Sequence, residues 1–154
     1  MLPNREQLSE QLVALVGTRL ADPLEILLDG DPSVDRVRTV VLERAKQWAA
    51  LMCYGDDATA VGVVVRIVAA LYPGDRPFEP PVEWWRTPMG QVVAWRVGHP
   101  TAARVSYPVA GAMLGISRQG VHDLVSRGKL TRHPDGGVTP ASIRDRLHQE
   151  EQTP

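Results

Sequence analysis

Apolar residues recur every three or four positions from the start of the chain. Between Asn4 and Leu20, the residues Leu8, Leu12, Leu15, Val16 and Leu20 fall on one helical face. Pro3 and Asn4 supply starting chemistry. Ala21-Asp22-Pro23 is expected to end the run, because a proline pushes the residue before it out of helical geometry. A short helical turn fits residues 24–28, and Asp29-Gly30-Asp31-Pro32 reads as a loop. The second stripe is cleaner. Val34, Val37, Val41, Ala45, Trp48 and Met52 step by three or four, Ser33 is expected to cap the helix, and Gly55 to stop it. Residues 57–72 carry two charges, Asp57 at the start and Arg66, and five valines. Valine favours strands, but about 15 residues without alternation fit a buried helix better. Pro73, Pro77, Pro80 and Pro81 mark an extended connector. Thr87-Pro88 then opens a helix through Met89, Val92, Val93 and Trp95 that ends near Gly98.

The next stretch, VSYPVAGAMLGISRQGVHDLVSRGKL over residues 105–130, is the most informative. Ser106 caps a helix over residues 107–114, Gly115 turns the chain, and Ser117 caps a second helix to about Arg127, which Gly128 ends. Two short helices joined so tightly cross steeply. Gly111 is small where the second helix comes close, and Ala110, Leu114, Ile116, Val121 and Leu124 seal the pair. This is the spacing of a DNA-binding helix-turn-helix. LTRHPDGGVT follows, with Asp135-Gly136 as a turn between two short extended pieces, so a small β-hairpin is expected. Thr139-Pro140 opens a last helix to about Gln149. The expected fold is mainly α: an N-terminal helical domain, then a C-terminal winged helix-turn-helix with a small β-hairpin. The domains divide into residues 1–100, residues 101–149 and a tail, 150–154.

Charge separates the two halves. The net charge is −1, yet residues 1–103 hold ten basic and thirteen acidic residues, whereas residues 104–147 hold seven basic and three acidic ones. Only the later part has the sign for a polyanion. The order helix, turn, helix, hairpin, helix over residues 104–148 resembles the excisionase-like and MerR-like DNA-binding families. That resemblance implies a second helix in the major groove and a wing on the DNA backbone. The first hundred residues resemble no such family, and MerR-like regulators place their extra domain after the DNA-binding part, not before it.

Position assigns the chemistry. Arg118, Gln119, His122 and Asp123 lie on the first two turns of the second helix, away from Val121 and Leu124. Arginine pairs with guanine and glutamine with adenine in the major groove, and aspartate accepts from cytosine. Ser117 and the free amides beside it suit a phosphate. Arg104, Arg127, Lys129, Arg132 and His133 are candidate backbone contacts, which set affinity rather than sequence preference. Double-stranded DNA is the expected partner, bound by a homodimer paired through the N-terminal domain, in a transcriptional regulator. An excisionase-like or plasmid- or phage-maintenance architectural protein, and an adaptor that binds another protein, are the alternatives.

Other chemistry is poorly supported. His99, His122, His133 and His148 lack metal-ligand spacing, and no glycine-rich phosphate loop or nucleophile with its base is present. No catalytic residue, cofactor or metal is expected. Asp56-Asp57 reads as a helix start. Trp48, Trp84, Trp85 and Trp95 read as core or interface residues, since Glu79 and Glu83 oppose a base-stacking platform. Cys53, the single cysteine, reads as an inert buried thiol. No apolar run approaches 18 residues, and the start MLPNREQLSEQ lacks a signal-peptide apolar region, so a cytoplasmic setting and no membrane contact are expected.

Overall fold

A computed structural model describes residues 2–152. The chain forms two compact units, one of Pro3–Gly74 and one built on the residues from Asp75 onward. The division falls inside the proline-rich connector, not near residue 100. Residues 75–100 belong with the later helices because Phe78, Trp85, Met89, Val92 and Val93 supply much of that unit's core.

In the N-terminal unit, α1 (Arg5–Val16) starts where the Asn4 side-chain Oδ1 accepts from the N–H groups of Glu6 and Gln7, at 2.8 and 3.2 Å. The helix does not end at Ala21. A π-helical turn, Gly17–Ala21, carries the chain directly into α2 (Asp22–Leu27), and the Asp22 N–H donates to the Gly17 carbonyl. Pro23 lies in the first turn of α2, where its missing N–H costs nothing. The proline expected to terminate one helix therefore opens the next.

The long helix α3 (Ser33–Tyr54) also starts differently from the expectation. Pro32 holds the cap position, Ser33 is the first helical residue, and the Asp31 carboxylate accepts the Ser33 N–H at 2.7 Å. The Ser33 side chain first, and this backbone bond second, hold the Asp31 carboxyl below its ordinary range. Gly55 ends α3, and Asp56 caps α4 (Asp57–Leu71) by accepting from the Thr59 N–H at 2.9 Å. The valine-rich segment is thus a helix. Packing of α1 and α4 against α3 buries Leu8 and Leu12, Ala45, Ala49 and Met52, and Ala60, Val64 and Ile67. The α3 stripe is only half used: Val34, Ala45 and Met52 are buried, but Val37 is exposed, and Val41 and Trp48 are half-buried. Cys53 is buried, its thiol directed at the Pro3 carbonyl.

The C-terminal unit opens with a 3-10 helix, Val82–Arg86, hidden in sequence among the prolines. Phe78, Trp84, Trp85 and His99 meet mostly edge to face there, with ring centroids 5.1–6.2 Å apart. Next comes α5 (Pro88–Arg96), capped by Thr87 through the Gly90 N–H at 3.2 Å. The helices α6 (Tyr107–Leu114), α7 (Arg118–Ser126) and α8 (Pro140–Gln152) complete the unit. α8 is fixed on α5 by the Arg144 side chain donating to the Arg96 carbonyl at 2.9 Å and by His148 stacked on Trp95 at 3.8 Å. It extends through residues assigned to the tail, to Gln152; residues 153 and 154 lie outside the described region.

The β-hairpin is not formed. No strand exists among the described residues; residues 131–139 make only two isolated bridges, Val105 with Val138 and Arg132 with Val138. The reasons are local. Pro134 has no N–H to give, and Gly136 and Gly137 both adopt positive φ (97° and 74°), which breaks the extended path. Pairing across the turn stops at two bonds, Thr139 N–H to the Thr131 carbonyl and His133 N–H to the Gly137 carbonyl, both 2.9 Å, while the Val138 N–H and carbonyl face the other way and pair with Val105, ahead of α6, at 2.9 and 3.0 Å. The expected wing is therefore a loop tied to the start of the helix pair.

Candidate nucleic-acid interface

The helix pair is built as its sequence dictates. The Ser106 hydroxyl accepts from the Val109 N–H at 3.4 Å at the start of α6, and that of Ser117 accepts from the Gly120 N–H at 3.1 Å at the start of α7. Gly115 holds the left-handed conformation (φ 71°, ψ 30°), and the Ile116 N–H donates back to the Gly111 carbonyl at 2.9 Å. A Cβ at Gly111 would lie 2.8 Å from the Ile116 carbonyl oxygen, so the turn closes onto the bare α-carbon. Val121 is fully buried beneath α7, with Ala110, Met113 and Leu114 of α6 also in the core.

Burial of Val121 fixes the rotation of α7 and decides what faces outward. Arg118, Gln119, His122 and Asp123 are all exposed, as expected. They are not four independent groups. The Gln119 amide donates to the Asp123 carboxylate at 3.3 Å, and the His122 ring meets Tyr107 edge to face at 4.5 Å. Arg118 shares a cleft of about 480 Å³ with Arg104, Ser106 and Tyr107. Glu79 also lines it, the one acid among those residues.

The expected backbone contacts divide into two kinds. Ser117, Arg127, Lys129 and Arg132 are exposed around the ends of α7 and the following loop. Arg104 and His133 already work within the protein. The Arg104 guanidinium donates to the Asp135 carbonyl at 2.9 Å, and His133 Nδ1 accepts from the Asp135 N–H at 3.0 Å. Both hold the loop in shape, His133 half-buried in doing so. Tyr107 is the residue that sequence reasoning missed. Its signal was its place directly after the cap Ser106, where a ring reaches the neighbouring helix.

Among the described residues, no group of three or more His, Cys, Asp or Glu side chains is placed to hold a metal ion, and no helix is long and apolar enough to cross a membrane. No protein-family model, curated protein or solved structure matches this chain.

Proposed function

We propose that the protein is a sequence-specific double-stranded DNA-binding protein, acting as a transcriptional regulator, with α7 as its recognition helix. The observation that carries this reading is the rotation of α7. Its apolar residue Val121 is buried while Arg118, Gln119, His122 and Asp123 line the outer face of its first two turns. That set combines a guanine-reading cation, an adenine-reading amide and a carboxylate held by the amide. The basic excess of residues 104–147 supports contact with phosphates, and exposed Arg127, Lys129 and Arg132 flank the helix to make them. Pairing of two chains through the N-terminal unit supplies the second half-site that one short helix needs.

The test is selection from a randomised DNA library with the wild type, Arg118→Ala and Gln119→Ala. A preferred site should emerge for the wild type. Each substitution should cost about 1–3 kcal/mol and relax one base position. The reading fails if all three proteins show the same sequence-independent affinity.

A further inference from the structure

Exposed large apolar side chains are distributed unevenly. Of those among the described residues, all but Val82 lie between Leu20 and Val65, in the N-terminal unit. The most exposed are Ile26 and Leu27, at 78% and 79%, at the tip of α2, followed in sequence by Leu28 and the acids Asp29 and Asp31. Nearby is an apolar groove of about 420 Å³. Leu20, Leu24, Val37, Val41, Trp48 and Ile67 line it, and Arg44 and Arg66 are its only charged residues. Both arginines are exposed and neither forms an ion pair among the described residues.

Groove and tip share α2. Leu24 lines the groove, and Leu27, three residues on, lies on the same side of α2, with Leu28 directly after the helix. The tip is apolar with acids beside it; the groove is apolar with unpaired cations. We propose that a second copy of this chain docks here reciprocally, the α2 tip of each copy entering the groove of the other, with Asp29 and Asp31 facing Arg44 and Arg66. A two-fold contact requires a surface that is complementary to itself, and a patch carrying both an acidic apolar projection and a basic apolar groove meets that requirement. The inference rests on the homodimer reading above and gives it a surface.

The experiment is sedimentation equilibrium of the full chain at micromolar concentration, with circular dichroism to confirm folding. Leu27→Glu and the double variant Arg44→Glu/Arg66→Glu change only exposed positions. Each should weaken the dimer by at least roughly 30-fold, the effect of losing a central contact. Tyr54→Ser, which removes another apolar residue (73% exposed) outside the groove and tip, should leave the dimer intact. A monomeric wild type would overturn the homodimer itself. A wild-type dimer that survives both Leu27→Glu and the arginine reversals, or that dissociates with Tyr54→Ser, would overturn the tip-in-groove contact while leaving a dimer in place. DNA affinity is measured separately, so a dimer that binds no DNA leaves this surface standing and removes only the DNA-binding reading.

Discussion

Replacing Gly111 by alanine tests whether the helix pair is closed by contact at a bare α-carbon. In a helix interior this change alone stabilises by about 1 kcal/mol, because alanine loses less backbone freedom. Gly62, in the middle of α4, shows that effect without interference: a Cβ there meets nothing within 4 Å. At Gly111 the new atom lies 2.8 Å from the Ile116 carbonyl oxygen, where ordinary contact begins at 3.4 Å. The obstacle is main chain, and the same two residues are joined by the Ile116 N–H bond to the Gly111 carbonyl. Relief therefore requires the turn and the start of α7 to move. Overpacking of this kind costs about 1–3 kcal/mol. The structure argues for the upper part of that range, so Gly111→Ala should be destabilising by about 1–2 kcal/mol net, while Gly62→Ala gains about 1 kcal/mol. Urea unfolding followed by tryptophan fluorescence separates the two, since Trp84, Trp85 and Trp95 lie in the unit that holds Gly111 and Trp48 in the unit that holds Gly62. If Gly111→Ala raises stability as much as Gly62→Ala, the close approach does not exist.

Three further outcomes follow from the same geometry. Lys129→Ala and Arg132→Ala should weaken binding to every DNA sequence alike and each lower the salt slope by about one ion; a changed base preference with an unchanged slope would place these residues elsewhere. Burial holds the His99 imidazole below its ordinary range, with Glu79 opposing, and its Nδ1 accepts from the N–H groups of Thr101 and Ala102. The unfolded chain therefore takes up this proton first, so the contribution is complete above about pH 6.5 and is lost as pH falls through the lower folded value. Unfolding midpoints of the C-terminal unit should drop between pH 7 and 5, and His99→Asn should flatten that dependence; identical profiles would dismiss the histidine. Arg104→Ala should loosen the 131–139 loop, seen as faster amide exchange at Gly136 and Gly137, and unchanged exchange would show that its two carbonyl contacts hold nothing.

What the sequence made legible was local and capped. Thr87, Ser106 and Ser117 each accept the bond expected of them, and Gly115 turns left-handed as only glycine does readily. These are interactions within a few residues, so they are written in a few residues. The exposed row on α7 was readable for the same reason, because Val121 and Leu124 set its phase. What escaped depended on partners far along the chain or on backbone choices that composition does not distinguish. Asp135-Gly136 suits a hairpin turn, but the positive φ of Gly136 and of Gly137 beside it left isolated bridges instead of strands. Pro23 reads as a stop until the π turn places it in a first helical turn. Val37, on the α3 stripe, looks like core and is 41% exposed, because it lines an open groove instead of a packed interior. The pairing of Gln119 with Asp123 was within reach, being a helical spacing of four, and it engages one oxygen of the carboxylate.

The π turn at Gly17–Ala21 has a consequence for how the N-terminal surface is inherited. A π turn is one residue more than an α-helix needs over the same rise, so α1 and α2 read as a single helix with one residue inserted. Its closing bond runs from the Asp22 N–H to the Gly17 carbonyl five residues back, where an α-helix closes over four. Deleting one residue inside the turn would let the same two groups close a regular α turn, so α2 would keep its phase and Leu24 its place in the groove. The same deletion within α1 would turn everything beyond it by about 100°. The π turn is therefore where a single codon can be gained or lost while the buried stripe of Leu8, Leu12 and Val16 and the face shown by α2 both stay in place.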